Sequence, residues 1–278
     1  MAEVVELITY PIKGCAGVSL AEASLTEAGL PHDRAFMVTN EDGVFRTQRR
    51  DPGLALIRPQ VDPRGERLTL SAPGAEELTV AIDTVSARRD VVLFGAPFQG
   101  IDQGDEVAAW LSDTLGVACR LVRVPPEHDR VADGLIPGPS GYADSNAVHI
   151  VSLASLDELN RRITGEGGEP LPMARFRPNV VVDGWTEPHT EDGARQITIG
   201  DTELGFAKLA VRCLVTMVDQ AKGIKAGPEP LRTLARYRRA PEGGGTVFGA
   251  KFSVTRTGTM AVGDTLAVGS WDGPPPAR

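Results

Sequence analysis

The chain has 278 residues, 41% apolar and 24% charged, with 37 acidic against 29 basic side chains and a net charge of −8. That length buries a sizeable core in one large or two modest domains, and the acidic balance argues against nucleic acid or an anionic membrane surface as partner. No run approaches the roughly 18 apolar residues of a membrane span. The acidic and apolar start lacks the basic segment of a secretion signal, so the expected address is the cytoplasm.

Short strands separated by turn signals dominate, which favours barrels or sandwiches over a doubly wound sheet. A first strand is expected over residues 4–8. Residues 35–39 and 44–47 read as a hairpin around Asn40-Glu41-Asp42-Gly43, the Asp-Gly supplying the positive φ such a turn needs. Further strands are expected at 54–61, 68–71, 78–82 and 91–94. The first helix runs over 106–115, with Asp105 as N-cap and Gly116 ending it; an alternating strand follows at 119–124. The stretch 125–140, rich in proline, glycine and charge, reads as a lid or as a linker.

A short strand at 148–151 leads to a helix through residue 163, opened by a capping box at Ser155-Leu156-Asp157-Glu158. Strands are then expected at 179–183, 196–199, 203–206 and 209–218. Pro230 suits the start of a helix over 231–239; strands at 247–254 and 265–268 and a proline tail close the chain. The fold class is therefore mainly β with a few helices (α+β).

Three cysteines, Cys15, Cys119 and Cys213, stand far apart with no C-x-x-C pair, which disfavours a cysteine-held zinc or iron–sulfur cluster. The four histidines show no metal-ligand spacing. Cys213 lies in Leu209-Ala210-Val211-Arg212-Cys213-Leu214-Val215, an apolar run that reads as a strand. A thiol there is either a packed core residue or, with arginine and lysine nearby, a ligand for a soft metal. Arg34, Arg177 and Arg212 each sit at the edge of an apolar run, as partners in salt bridges or as forked donors for an anionic ligand. Lys13 and Gly14 mark a strand exit where backbone can approach a ligand.

Seven pieces in order carry a family likeness: Tyr10-Pro11-Ile12-Lys13, Asp33-Arg34-Ala35-Phe36, Thr47-Gln48-Arg49, Tyr142-Ala143-Asp144-Ser145, Phe176-Arg177-Pro178-Asn179, Arg212-Cys213 and Phe248-Gly249, closed by Val262-Gly263-Asp264. Over nearly its whole length the chain resembles the MOSC superfamily, in the two-part arrangement of the amidoxime-reducing components and their bacterial relatives. The resemblance implies a MOSC N-terminal β-barrel-type domain over residues 1–120, packed on a MOSC β-barrel over 121–272, with 273–278 as a tail. It implies a molybdenum cofactor, molybdenum bound to molybdopterin, with Cys213 as catalytic thiolate and metal ligand. Lys13, Gly14, Arg34, Ser145, Asn146, Arg177, Asn179, Arg212 and Lys251 are the implied cofactor-binding residues; Cys15 is the rival ligand.

The implied reaction reduces N-hydroxylated compounds to N–H and water. Electrons would come from a separate ferredoxin, flavoprotein or cytochrome b5-like partner, with Arg232, Arg236, Arg238 and Arg239 as a docking stripe or as solvated helix-end charges. The chain departs from the family pattern at Gly14 and Val211, where relatives often carry serine, and at Lys251, where they carry tyrosine or asparagine. The alternative is a cofactor-binding or sulfur-carrier module without reductase activity, as in cofactor sulfurases; the pyridoxal phosphate domain of those proteins is absent from this sequence. A plainer alternative is a barrel scaffold that has lost its metal. Asp219 and Lys251 are proton-donor candidates by position.

Overall fold

The computed structural model describes residues 2–240 and 244–273; most of the expected tail lies outside the described residues. The fold is mainly β with three α-helices among those residues: α1 Asp105–Leu115, α2 Leu153–Gly165 and α3 Leu231–Tyr237. Seven strands close a barrel in the order Val180–Asp183, Val148–Ser152, Thr246–Arg256, Thr202–Arg212, Ala194–Ile199, Thr265–Trp271 and Ala2–Thr9. The last of these pairs back with the first. The N-terminal strand thus completes a barrel built otherwise from the second half of the chain.

Side-chain alternation explains the valine run of Val180–Asp183. Val180 and Val182 enter the barrel core with Val4, Leu7 and Ile150, while Val181 packs outward with Leu156, Leu159 and Leu234 of α2 and α3. With both faces covered the strand reads as continuously apolar. Each such side chain contributes about 1.5–3 kcal/mol by leaving water.

The first half of the chain forms a five-stranded sheet, Ile12–Lys13, Phe36–Thr39, Arg120–Arg123, Ala96–Asp102 and Arg88–Leu93, and a three-stranded sheet, Arg58–Val61, Arg67–Ser71 and Leu78–Ala81. Both share a core with α1, where Cys15 and Cys119 pack beside Phe36, Leu54 and Leu111.

Several local expectations need correction. Residues 54–61 are not one strand: a 3-10 turn, Pro52–Leu56, precedes Arg58–Val61, and Pro59 is tolerated because that strand is a sheet edge. The turn at Gly43 forms with φ 79°, but its second arm makes only isolated bridges, Thr39 with Phe45 and Val44 with Val92. Gly104 rather than Asp105 caps α1, and Gly116 ends it in the left-handed region. Helix α2 opens a turn earlier than expected, with Ser152 accepting from the Ser155 amide at 3.2 Å; Ser155 Oγ donates instead to buried Glu191 at 2.8 Å. Residues 203–206 and 209–218 are not two strands. Thr202–Arg212 is continuous through its bulges and stops before Cys213.

Candidate functional site

The barrel rim and the five-stranded sheet meet at a cleft of about 300 Å³. Lys13, Gly14, Arg34, Ser145, Asn146, Arg177, Arg212, Cys213 and Lys251 all line it, so nine of the ten residues singled out in the sequence converge. Its lining holds eight lysine or arginine side chains against one carboxylate, Asp144, in a chain of net charge −8. Charge of one sign focused in a concave site favours an anionic ligand.

Backbone geometry sets this cluster. Arg34 and Arg177 adopt left-handed φ of 49° and 54°, an uncommon conformation for arginine that the surrounding packing must impose. Gly14, at φ 82°, adopts this conformation without a Cβ penalty; its carbonyl accepts from Gln48 Nε2 at 2.6 Å. Arg34 donates from Nη1 to Asp33 at 2.5 Å and to Asn179 Oδ1 at 3.1 Å.

Asn179 is the residue that does not reach the cleft. It is fully buried, donating to Ile8 O and Asp33 Oδ1 and accepting from Arg34 and the His149 amide. It positions Arg34 and joins the two halves of the fold.

Lys13 is buried and paired with Asp144, and it donates to the Tyr142 carbonyl at 2.9 Å. Burial lowers its pKa against the opposing pull of Asp144. Burial would raise the Asp144 pKa, but the Lys13 ammonium holds that carboxyl well below the usual range. Desolvation lowers Arg177 and brings Arg212 down to about 10. Arg177 Nη2 and Arg212 Nε are buried without a hydrogen-bond partner among the described residues. Lys251 is pushed down to about 7, by burial first and then by Arg34 and Arg212. His149, lowered well below its ordinary value by burial and then Lys251, donates from Nε2 to Phe248 O at 3.3 Å.

Cys213 sits in extended backbone just past the strand end, opening the 3-10 turn Leu214–Met217. Its carbonyl accepts from Thr216 N at 3.1 Å and Thr216 Oγ1 at 2.9 Å, which fixes the thiol at the cleft wall. The core reading fails because its neighbours Val211 and Leu214 are 55% and 56% exposed and Cys213 is itself only half-buried. Cys15 and Cys119 are buried, and burial pushes the Cys15 thiol up to about 12.

Arg49 is the main residue missing from the sequence-based set. It lines the cleft with Cys213, and the sulfur nearby holds its guanidinium more firmly charged. The signal was present in Thr47-Gln48-Arg49, a polar trio between apolar segments. Gln48 and Gln220 exchange reciprocal amide bonds at 3.0 and 2.9 Å, closing the floor between the two halves. Asp144 also lines the cleft, whereas Asp219 does not and accepts from the Ala221 and Lys222 amides.

Three of the four proposed docking arginines are spent locally, Arg232 on Glu229, Arg236 on Glu166 and Arg238 on Asp192. Among the described residues no three His, Cys, Asp or Glu side chains cluster as a metal site. No helix among them is long and apolar enough to cross a membrane.

Residues 1–118 match the family model of the MOSC N-terminal beta barrel domain and residues 137–267 that of the MOSC domain. The mitochondrial amidoxime reducing component 2 of Rattus norvegicus is 37% identical, the alignment covering 92% of this chain and 80% of that protein. The mitochondrial amidoxime-reducing component 1 of Homo sapiens is 34% identical over 95% of this chain and 82% of its own length. The molybdenum cofactor sulfurase of Danio rerio is 34% identical over 84% of this chain but only 30% of that protein. Among solved structures, the YUAD protein from Bacillus subtilis is 13% identical with a TM-score of 0.44, covering 96% of this chain and 94% of that one. These relatives tie the chain to molybdenum-cofactor-related function. The chain belongs to the MOSC proteins that join a MOSC N-terminal β-barrel domain to a MOSC domain, the family that includes the mitochondrial amidoxime-reducing components.

Proposed function

We propose that this protein is a molybdenum-cofactor-dependent reductase of N-hydroxylated compounds. In the balanced reaction R–NH–OH takes two electrons and two protons to give R–NH₂ and water. The observation that carries the proposal is a half-buried thiol, Cys213, on the wall of a cleft whose cations outnumber its carboxylates eight to one.

The residues fit an anionic pterin cofactor. Arg177 and Arg212 each present a buried guanidinium nitrogen without a partner among the described residues, suited to phosphate or to ring acceptors. Lys13, Gly14, Arg34, Ser145, Asn146, Arg177, Arg212 and Lys251 would hold the pterin and its phosphate, Asn179 would orient Arg34, and the Cys213 thiolate would bind the metal. The bound cofactor would supply two-electron redox chemistry that no side chain here provides. Arg49 lines the cleft with Cys213, and the neutral His149 adds no charge to the cleft.

Electrons would come from a separate ferredoxin, flavoprotein or cytochrome b5-like donor; Cys15 and Cys119 lie in one buried core and Cys213 in the cleft, so the three do not meet at a cluster. A reducing compartment such as the cytoplasm suits three free thiols.

The test is the molybdenum and pterin content of protein purified from a cofactor-competent host, wild type beside Cys213→Ala, followed by reduction of a hydroxylamine with a chemical electron donor. Near-stoichiometric metal and turnover in the wild type alone bear the proposal out. The sulfurase relative supports a second reading, a cofactor-binding or sulfur-carrier module; loaded wild type without turnover would favour it.

A further inference from the structure

The Arg88–Leu93 and Ala96–Asp102 strands pair with Leu93 opposite Ala96, leaving a two-residue turn of Phe94 and Gly95. Both residues have positive φ, 53° and 82°, the signature of a type I′ turn, whose first position favours asparagine, aspartate or glycine. A bulky aromatic in that conformation is an outlier. The chain keeps a locally unfavourable residue at a hairpin tip, a pattern expected where the side chain serves something other than the turn.

The tip reaches the candidate site. Phe94 lines the same cleft as Cys213 and remains 46% exposed. Phe45 meets its ring edge-on at 4.8 Å, and Lys13 Nζ lies 4.8 Å from its centroid. The ring is therefore braced by neighbours while much of its surface is open. Val211 and Val215 line the cleft beside Cys213, so the cationic cleft also carries apolar wall near the thiol.

On the reading of the site as a reductase of N-hydroxylated compounds, we infer that Phe94 is a specificity-determining residue whose braced ring packs against an aromatic body carried by the substrate. An apolar aromatic group beside the N–OH bond would lie on Phe94 while the N–OH end faces Cys213. A flat ring on a braced ring gains stacking and leaves water, and a substrate without such a body forgoes both.

The informative variant is Phe94→Asn, because asparagine suits the turn and its loss of the ring is not confounded by misfolding. The cofactor-loaded proteins are compared on phenylhydroxylamine and N-methylhydroxylamine, with melting temperature and molybdenum content measured alongside. Expected are an unchanged or higher melting temperature, unchanged metal, and a KM for phenylhydroxylamine raised about tenfold with kcat kept. Constants for N-methylhydroxylamine stay as in the wild type.

Equal changes for both substrates, or none for either, overturn the inference. So does loss of molybdenum with unchanged substrate constants, which would make the ring a brace for Lys13 alone. If the wild type reduces neither compound, the reductase reading fails, and saturation-transfer NMR of phenylhydroxylamine with the same proteins decides the pocket. Binding to wild type that is lost in Phe94→Asn supports the aromatic platform; equal binding or none sinks it.

Discussion

Arg34 donates from Nη2 to the Arg177 carbonyl oxygen at 3.3 Å, and both guanidiniums lie on one ring, Tyr10, at 4.3 and 4.2 Å from its centroid. Two like charges from distant parts of the chain thus share one aromatic ring, and of the two only Arg34 pairs with Asp33. Arg177 finds no carboxylate among the described residues, and burial lowers its pKa. A charge in that position costs stability until an anion enters.

Inorganic phosphate should therefore stabilise the cofactor-free protein. Binding to the folded state alone adds about 2.7 kcal/mol at a hundred times Kd, several degrees in Tm for a chain of this size. Arg177→Met should remove most of that rise and leave the phosphate-free protein as stable as wild type or more so. Melting curves in phosphate against chloride at equal ionic strength check both; an equal rise in the two proteins would dissociate Arg177 from anion binding.

The three thiols should behave differently. Native cofactor-free protein treated with iodoacetamide should take one adduct, at Cys213, because Cys15 and Cys119 are buried and burial raises both of their pKa values. Cys15→Ala should cost about 1 kcal/mol as a small cavity and keep the metal. Cys213→Ala, at a half-buried position, should melt within about 0.5 kcal/mol of wild type and lose the metal. Peptide mass spectrometry and metal content decide; labelling at Cys15 would reopen its claim as ligand.

Chemistry-bearing residues were more legible in the sequence than the elements that carry them. Lys13, Arg34, Arg177, Arg212 and Cys213 could be named because charge at the edge of an apolar run marks itself and family order ties the pieces together. The placement of Cys213 could not. Leu209 to Val218 is apolar throughout, and nothing local says that Val211 and Leu214 face solvent or that Thr216 folds the chain back onto the Cys213 carbonyl. Only pairing with Thr246–Arg256, which ends at Arg212 opposite Thr246, stops the strand. The Ala96–Asp102 strand was illegible for a related reason: Phe94-Gly95 does not look like a hairpin turn, since the first position breaks the residue preference. Closure of the barrel by Ala2–Thr9 is likewise a long-range fact, because a strand's composition does not specify a partner some 170 residues away.

Asn179 should be worth more to folding than any cleft-lining residue. Each of its side-chain atoms serves two partners: Nδ2 donates to Ile8 O at 3.1 Å and Asp33 at 2.9 Å, and Oδ1 accepts from Arg34 at 3.1 Å and the His149 amide at 3.2 Å. Asn179→Ala strands several buried groups at once, at about 1–3 kcal/mol for each one left unsatisfied. A loss of about 3 kcal/mol is expected in urea unfolding, against under about 1 kcal/mol for Ser145→Ala, whose Oγ makes a single bond to Asn146. Equal losses would mean that Asn179 is not the joint between the two halves.

Lys251 should leave a mark on the pH dependence of stability. Burial, then Arg34 and Arg212, bring its pKa down to about 7 in the folded protein, against about 10.4 in an unfolded chain. Between those values the unfolded chain binds more protons, so this residue makes stability rise with pH. Below pH 7 both states hold the proton and the full cost of burying the ammonium remains. Lys251→Met should therefore melt above wild type at pH 6, with the gap closing as pH rises through 9. Titrating groups not coupled to Lys251 cancel in the difference between the two proteins, and His149, which Lys251 lowers, adds to the gap only near pH 6, so melting curves at pH 6, 7.5 and 9 suffice. A gap independent of pH would mean that Lys251 keeps an ordinary ammonium and that its effect lies in packing.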